Sequence, residues 1–204
     1  MLRKIKNLIK RNNTYHKLSD DVINQIKDFE PIYSYDVNFP FYDNLTEEQK
    51  SLIDELIPNE ELREQYKKYG LCEECSQPNT SRWWCQSCNS KHFQQEFNKW
   101  TSGNKEIDEF IQKCQLNATS FYEILEWIPY DRFENIKYLA EGDFGIVYKA
   151  IWIDGDIKSW QNGWHRFAKA DVVLKCLKDS QNLDTDILQE VICCYIFVID
   201  IIIF

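Results

Sequence analysis

The stretch LAEGDFGIVYKA, Leu139 to Ala150, decides how this chain is read. From Phe133 to Val147 the residues alternate as a strand does, break at Gly142 and Gly145, and resume as Ile146-Val147-Tyr148. That pattern predicts a hairpin with glycines at its tip. A tip without Cβ atoms lets backbone amides come close to the oxygens of a phosphate chain. Two glycines alone are a weak signal. Gly142-x-x-Gly145-x-Val147, preceded by Leu139 and followed by Tyr148-Lys149-Ala150, is more specific. Further out, Val172-Val173-Leu174-Lys175 reads as a strand that carries a lysine, and DTDILQEV as a helix that carries Glu190. The segment between Val147 and Lys175, IWIDGDIKSWQNGWHRFAKAD, is expected to lengthen the hairpin formed by the second and third strands.

Upstream lies a second constellation. Cys72-x2-Cys75 and Cys85-x2-Cys88 are separated by nine residues, SQPNTSRWW. Two CxxC pairs bring four thiolates to one Zn²⁺, and Pro78 and Asn79 supply a turn between them, which suits a small zinc ribbon. The competing reading is two disulfides or unligated thiols. Four cysteines close the coordination shell and leave no position for a reacting water, so the metal is expected to hold structure and not to catalyse. His92 is near enough to be a spare ligand, but reads as a surface or supporting residue. Trp83 and Trp84, beside basic residues, could stack on single-stranded nucleic acid; packing over the cysteine loop or against a helix is the favoured reading.

The chain has 204 residues, 44% apolar and 15% aromatic, enough for a packed core. Its net charge of −9 is uneven: residues 1–17 hold six Lys or Arg and no acid, which leaves −15 on the rest. An acidic body argues against nucleic-acid binding, and the basic start reads as solvated helix or terminus. No secretory h-region is visible. The longest apolar run, Val191 to Phe204, holds Asp200 and is shorter than the roughly 20 residues of a membrane span. An intracellular, cytoplasmic protein is expected, in which the eight cysteines are ligands or free thiols.

Helices are predicted in LTEEQKSLIDELI, where Thr46 and Gln49 have capping-box spacing and Pro58 ends the run, and over Lys105–Gln115, where Ile107, Phe110, Ile111 and Cys114 recur at helical intervals. A third, short one is predicted over Ser120–Ile128, stopped by Pro129, and residues 30–43 read as an extended connector.

Residues 66–191, and 119–191 most specifically, resemble an expanded group of fungal tyrosine-kinase-like protein kinases whose members carry CxxC pairs ahead of the kinase domain. The resemblance implies an ATP site. Gly142 and Gly145 would cradle phosphates, and Leu139, Val147 and Val173 would line the nucleotide. Lys175 would pair the α- and β-phosphates, with Glu190 orienting it as the ion-pair partner. Three positions depart from the pattern: Ala140 replaces the first glycine, Asp143 brings a negative charge to the loop, and Val173 replaces the alanine that roofs the adenine. No HRD-type loop and no DFG follow Lys175, so the base and the magnesium ligands of phosphoryl transfer are missing, and the chain alone is expected to be inactive. A zinc-dependent protein-interaction module without catalysis is the alternative. The tail ICCYIFVIDIIIF has high β-propensity and one charge; it reads as aberrant sequence that replaces kinase sequence, with no role for Cys193 or Cys194.

The expected architecture is α+β: a helical leader (1–70), a four-cysteine zinc ribbon (71–92), a helical linker (93–131), and a partial kinase N-lobe of antiparallel sheet plus one helix (132–204).

Overall fold

The structure, a computed structural model, describes residues 17–29, 45–142 and 145–177, and the backbone of 201–203. The basic start, the connector at 30–43, Asp143, Glu190 with its predicted helix, and Cys193 and Cys194 lie outside the described residues. The architecture is α+β. The chain divides into two compact units, one of Arg11–Glu96 with Leu116–Glu123, the other of Met1–Lys10, Phe97–Gln115 and Ile124–Phe204. The leader helices and the cysteine segment thus belong to one unit.

In that unit, α1 (Asp20–Ile26) begins where the Ser19 hydroxyl accepts from the Val22 amide, with Asp20 and Asp21 in the first turn. Helix α2 (Glu47–Leu56) opens on the predicted capping box: the Gln49 amide donates to Thr46 Oγ1 at 3.2 Å and the Thr46 amide to Gln49 Oε1 at 2.9 Å. Helix α3 (Glu60–Tyr69) is capped by Asn59 and ends at Gly70, whose φ of 66° suits glycine. Ile26, Leu45, Ile53, Ile57 and Tyr66 bury against one another as its core. The Tyr66 hydroxyl donates to the Ile26 carbonyl at 2.7 Å, which satisfies its one polar group inside that core. Helix α4 (Gln86–Glu96) follows the second cysteine pair.

Helix α5 (Lys105–Asn117) covers the predicted 105–115 and runs two residues further. Its start is fixed by Asn104 Oδ1, which accepts from the Glu106 amide at 2.9 Å. The predicted helix over Ser120–Ile128 is absent; only a 3₁₀ turn forms, Phe121–Glu123. Pro129 limits any helix here to little more than two turns, too short to hold by its own backbone bonds. Gln115 Nε2 donates to the Leu125 carbonyl at 2.8 Å instead.

The sheet unit comprises β1 (Phe133–Gly142), β2 (Gly145–Trp152), β3 (Ile157–Trp160), β4 (Trp164–Arg166), β5 (Ala170–Leu177) and β6 (Ile201–Ile203). β1, β2 and β5 form an antiparallel sheet in that order. The predicted hairpin β1–β2 breaks at Gly142 and Gly145, which pair with each other across the tip. The segment after β2 does not lengthen the β2–β5 ladder, which stops at Trp152 opposite Ala170; β3 and β4 fold as a separate two-stranded hairpin. The sheet also departs from the wholly antiparallel expectation at its far edge, where β6, inside the apolar tail, pairs in parallel with β5.

One face of the sheet carries the core: Phe133, Ala150, Trp152, Val172 and Leu174 bury with Ile128. No helix among the described residues is long and apolar enough to cross a membrane.

Candidate metal centre and candidate nucleotide face

Cys72 and Cys75 sit on a tight turn that follows α3. The Ser76 amide donates to the Cys72 carbonyl and the Cys72 amide to the Gln77 carbonyl, each at 2.8 Å. Cys85 directly precedes α4 and Cys88 lies in its first turn. The second pair is therefore presented by a helix start, and the segment holds two isolated bridges, Leu71↔Pro78 and Ser81↔Trp84, in place of the strand ladder a ribbon implies. The four Sγ atoms lie within 4.8 Å of one another; Cys72 and Cys88 are 3.9 Å apart and Cys75 and Cys85 3.7 Å. With a Zn–S bond of about 2.3 Å, the edge of a ZnS₄ tetrahedron is about 3.8 Å, so the donor set fits one such ion.

The thiols are electrostatically unequal. Hydrogen bonds from Cys72 and then Cys85 hold the Cys75 thiol down to about 2. Hydrogen bonding with Cys72 and Cys75, reinforced by burial, pushes Cys85 up, and burial pushes Cys88 up. A cluster of this kind settles on few negative charges until a divalent cation offsets the rest.

Side chains of this segment reach in two directions. Toward the leader, the Leu18 amide donates to Gln77 Oε1 at 2.7 Å, and Gln77 Nε2 donates back to the Leu18 carbonyl at 3.1 Å. Toward the end of α5, Thr80 Oγ1 donates to the Thr119 carbonyl, the fully buried Trp84 donates through Nε1 to the Ala118 carbonyl, and Gln86 Nε2 donates to the Leu116 carbonyl. These are carbonyls at and just past a helix end, which have no partner within the helix. Of the two tryptophans, Trp84 packs as expected, near Phe93, whereas Trp83 is 39% exposed with the Arg82 guanidinium over its ring. His92 lies on α4, and its Nε2 is 2.8 Å from Glu74 Oε2. The cysteine spacing was visible in the sequence. The Gln77 and Glu74 contacts were not, and polar residues inside the cysteine loops were their only signal.

In the sheet, Val147 pairs with Lys175, and Val173 with Lys149. Alternation therefore places Val147, Val173 and Lys175 together on one face, and Ala150, Val172 and Leu174 on the buried one. Lys149 and Asp171 form an ion pair at 3.1 Å on the same face as Lys175. Ala140 pairs with Val147. Leu139 falls at a register shift between Tyr138 and Ala140 and is 52% exposed. Gly145 has φ of 142°, where a side chain is strained, whereas a Cβ at Gly142 would meet nothing within 4 Å. The Lys175–Glu190 pair lies outside the description through Glu190. Compared with known proteins, the chain matches no family model, and neither the curated proteins nor the solved structures hold a significant match to it.

Proposed function

We propose that the sheet unit is the nucleotide-facing part of a protein kinase of the fungal tyrosine-kinase-like kind, and that the cysteine unit is a zinc-held module belonging to the same protein. The observation that carries the first half is the register of β2 and β5. A lysine opposite Val147, with Val173 two residues away on the same unburied face and a glycine turn ending the hairpin, is the arrangement an ATP site of that family needs. Under this reading Gly142 and Gly145 cradle phosphates, Lys175 pairs them, and Val147, Val173 and Leu139 contact the base. The activity proposed for these residues is ATP binding. Phosphoryl transfer to protein hydroxyls is proposed for the larger kinase, and a reducing cytoplasmic setting goes with it.

Titration with ATP and Mg²⁺ by calorimetry tests this. Millimolar-or-tighter binding that is abolished by Lys175→Ala, in a protein whose sheet remains folded, is the expected result. Absence of binding, or binding indifferent to that substitution, overturns it.

A second reading is favoured by the four converging sulfurs: a zinc-dependent interaction module that docks a protein partner without catalysis. Partner binding of that kind is lost on Cys72→Ser or on chelation and survives Lys175→Ala, the reverse of the pattern expected for nucleotide.

A further inference from the structure

The two cysteine pairs come from different elements, a turn after α3 and the start of α4, and a side-chain hydrogen bond joins those elements beside the sulfurs. Glu74 is the residue before Cys75 in the turn. His92 follows Cys88 by four residues, so the two lie on one face of α4. Their side chains meet at 2.8 Å, Nε2–H donating to the carboxylate; the imidazole is mostly buried, with 12% of its side chain exposed. The four sulfurs form a complete set of their own within 4.8 Å, and the histidine is outside it.

We infer that Glu74 and His92 are positioning residues for metal capture: the pair latches the turn to the helix and fixes the separation of the two cysteine pairs before the ion arrives. A metal that meets scattered thiols must bear the ordering of both elements, and a pre-set site spares it that cost. Removing a group hydrogen-bonded to a metal ligand typically costs 10- to 100-fold in affinity, and a latch one step further out is expected at the low end of that range. The inference rests on the metal reading of the four cysteines, and its test separates the two.

The full chain is titrated with zinc against a competing chelator, and with cobalt(II) followed by its absorption. Wild-type protein is expected to give the spectrum of a four-thiolate site. His92→Ala is expected to weaken zinc binding about tenfold or more with that spectrum unchanged. His92→Gln, which keeps an N–H donor, is expected to recover most of the loss. Glu74→Ala, at a more exposed position, serves if His92→Ala does not fold; it should reproduce the loss, and the double variant should be no worse than either single one. Wild-type affinity in both single variants overturns the latch and leaves the metal site standing. A changed cobalt spectrum in His92→Ala makes the histidine a ligand and also overturns it. Failure of the wild type to bind cobalt or zinc overturns the metal reading and the latch together.

Discussion

Two glycines of the sheet unit show how differently one residue type can be used. Gly155, in the turn between β2 and β3, has φ of +67°, and a Cβ there would lie 2.3 Å from the Ala168 carbonyl oxygen and 2.7 Å from that of Phe167. Backbone oxygens cannot step aside as a side-chain tip can. Gly155→Ala is therefore expected to destabilise the sheet unit by about 2 kcal/mol or more, combining a disfavoured dihedral with a forced shift of the β4–β5 connection. Gly142→Ala, with open space around the new methyl, should change stability by less than about 0.5 kcal/mol. Denaturant melts of the two variants check this, and a Gly155→Ala loss as small as that expected for Gly142→Ala would show that the Gly155 turn rearranges freely. The Gly142 substitution still bears on nucleotide binding, because the proposed role of that glycine is access for phosphate and not backbone conformation.

At the scale of elements, the β3–β4 hairpin is held by two arginine–carboxylate pairs that respond oppositely to acid. Arg132 grips Asp154, donating from Nε at 2.7 Å and also from Nη2, and this hydrogen bonding holds the Asp154 carboxyl below its ordinary range. Arg166 reaches Glu126 with Nη1 at 3.2 Å and the Gly155 carbonyl at 2.8 Å, yet burial pushes the Glu126 carboxyl up, outweighing the pull of Arg166. A depressed carboxyl contributes stability that is present above its unfolded value, 3.8, and lost as pH falls through the folded one. A raised carboxyl does the reverse: the folded state takes up its proton more readily, so acidification through that window favours folding. Acid loosening of the hairpin should accordingly belong to Asp154. Protection of the Phe167 amide, which donates to the Asp156 carbonyl, measured relative to its intrinsic exchange at each pH, should fall below pH 3.8 in the wild type and in Glu126→Gln, and hold in Asp154→Asn. A flattened acid response in Glu126→Gln would contradict the assignment. The same hairpin marks where sequence reading ran out. The β1–β2 turn, the Thr46–Gln49 capping box and the four cysteines were legible because each depends on residues within a few positions or at a diagnostic spacing. The hairpin's mounts join residues 22 and 40 positions apart, and Gln77 meets Leu18 across 59. The missing helix after Ser120 belongs to the same class: the Leu125 carbonyl is taken by Gln115, a side chain on the preceding helix.

At the scale of the whole chain, two compact units with separate cores imply that loss of a metal should be felt by one and not the other. The core of the sheet unit consists of Ile128, Phe133, Ala150, Trp152, Val172 and Leu174, with no member from the cysteine segment. The cysteine segment, by contrast, has little apolar core of its own. Among its described residues, burial is confined largely to the cysteine cluster and the Trp84–Phe93 pair, and hydrogen bonds tie it to Leu18, Leu116, Ala118 and Thr119. Structural zinc supplies on the order of 10 kcal/mol to such a segment, more than those hydrogen bonds, at about 1 kcal/mol each, can replace. Chelation is therefore expected to open residues 70–96 and to release the Leu18 amide, whose acceptor is Gln77 Oε1. Hydrogen exchange followed by mass spectrometry, with and without a zinc chelator, reads this directly. Protection should fall across the cysteine segment and at Leu18, persist in part through α2 and α3, whose buried Ile53, Ile57 and Tyr66 pack without it, and stay unchanged in β2 and β5. Parallel loss of protection in β2 and β5 would mean that the units fold as one and that the metal supports both. No change anywhere would mean that the four thiols hold their positions without an ion, and the structural role assigned to the site would fall.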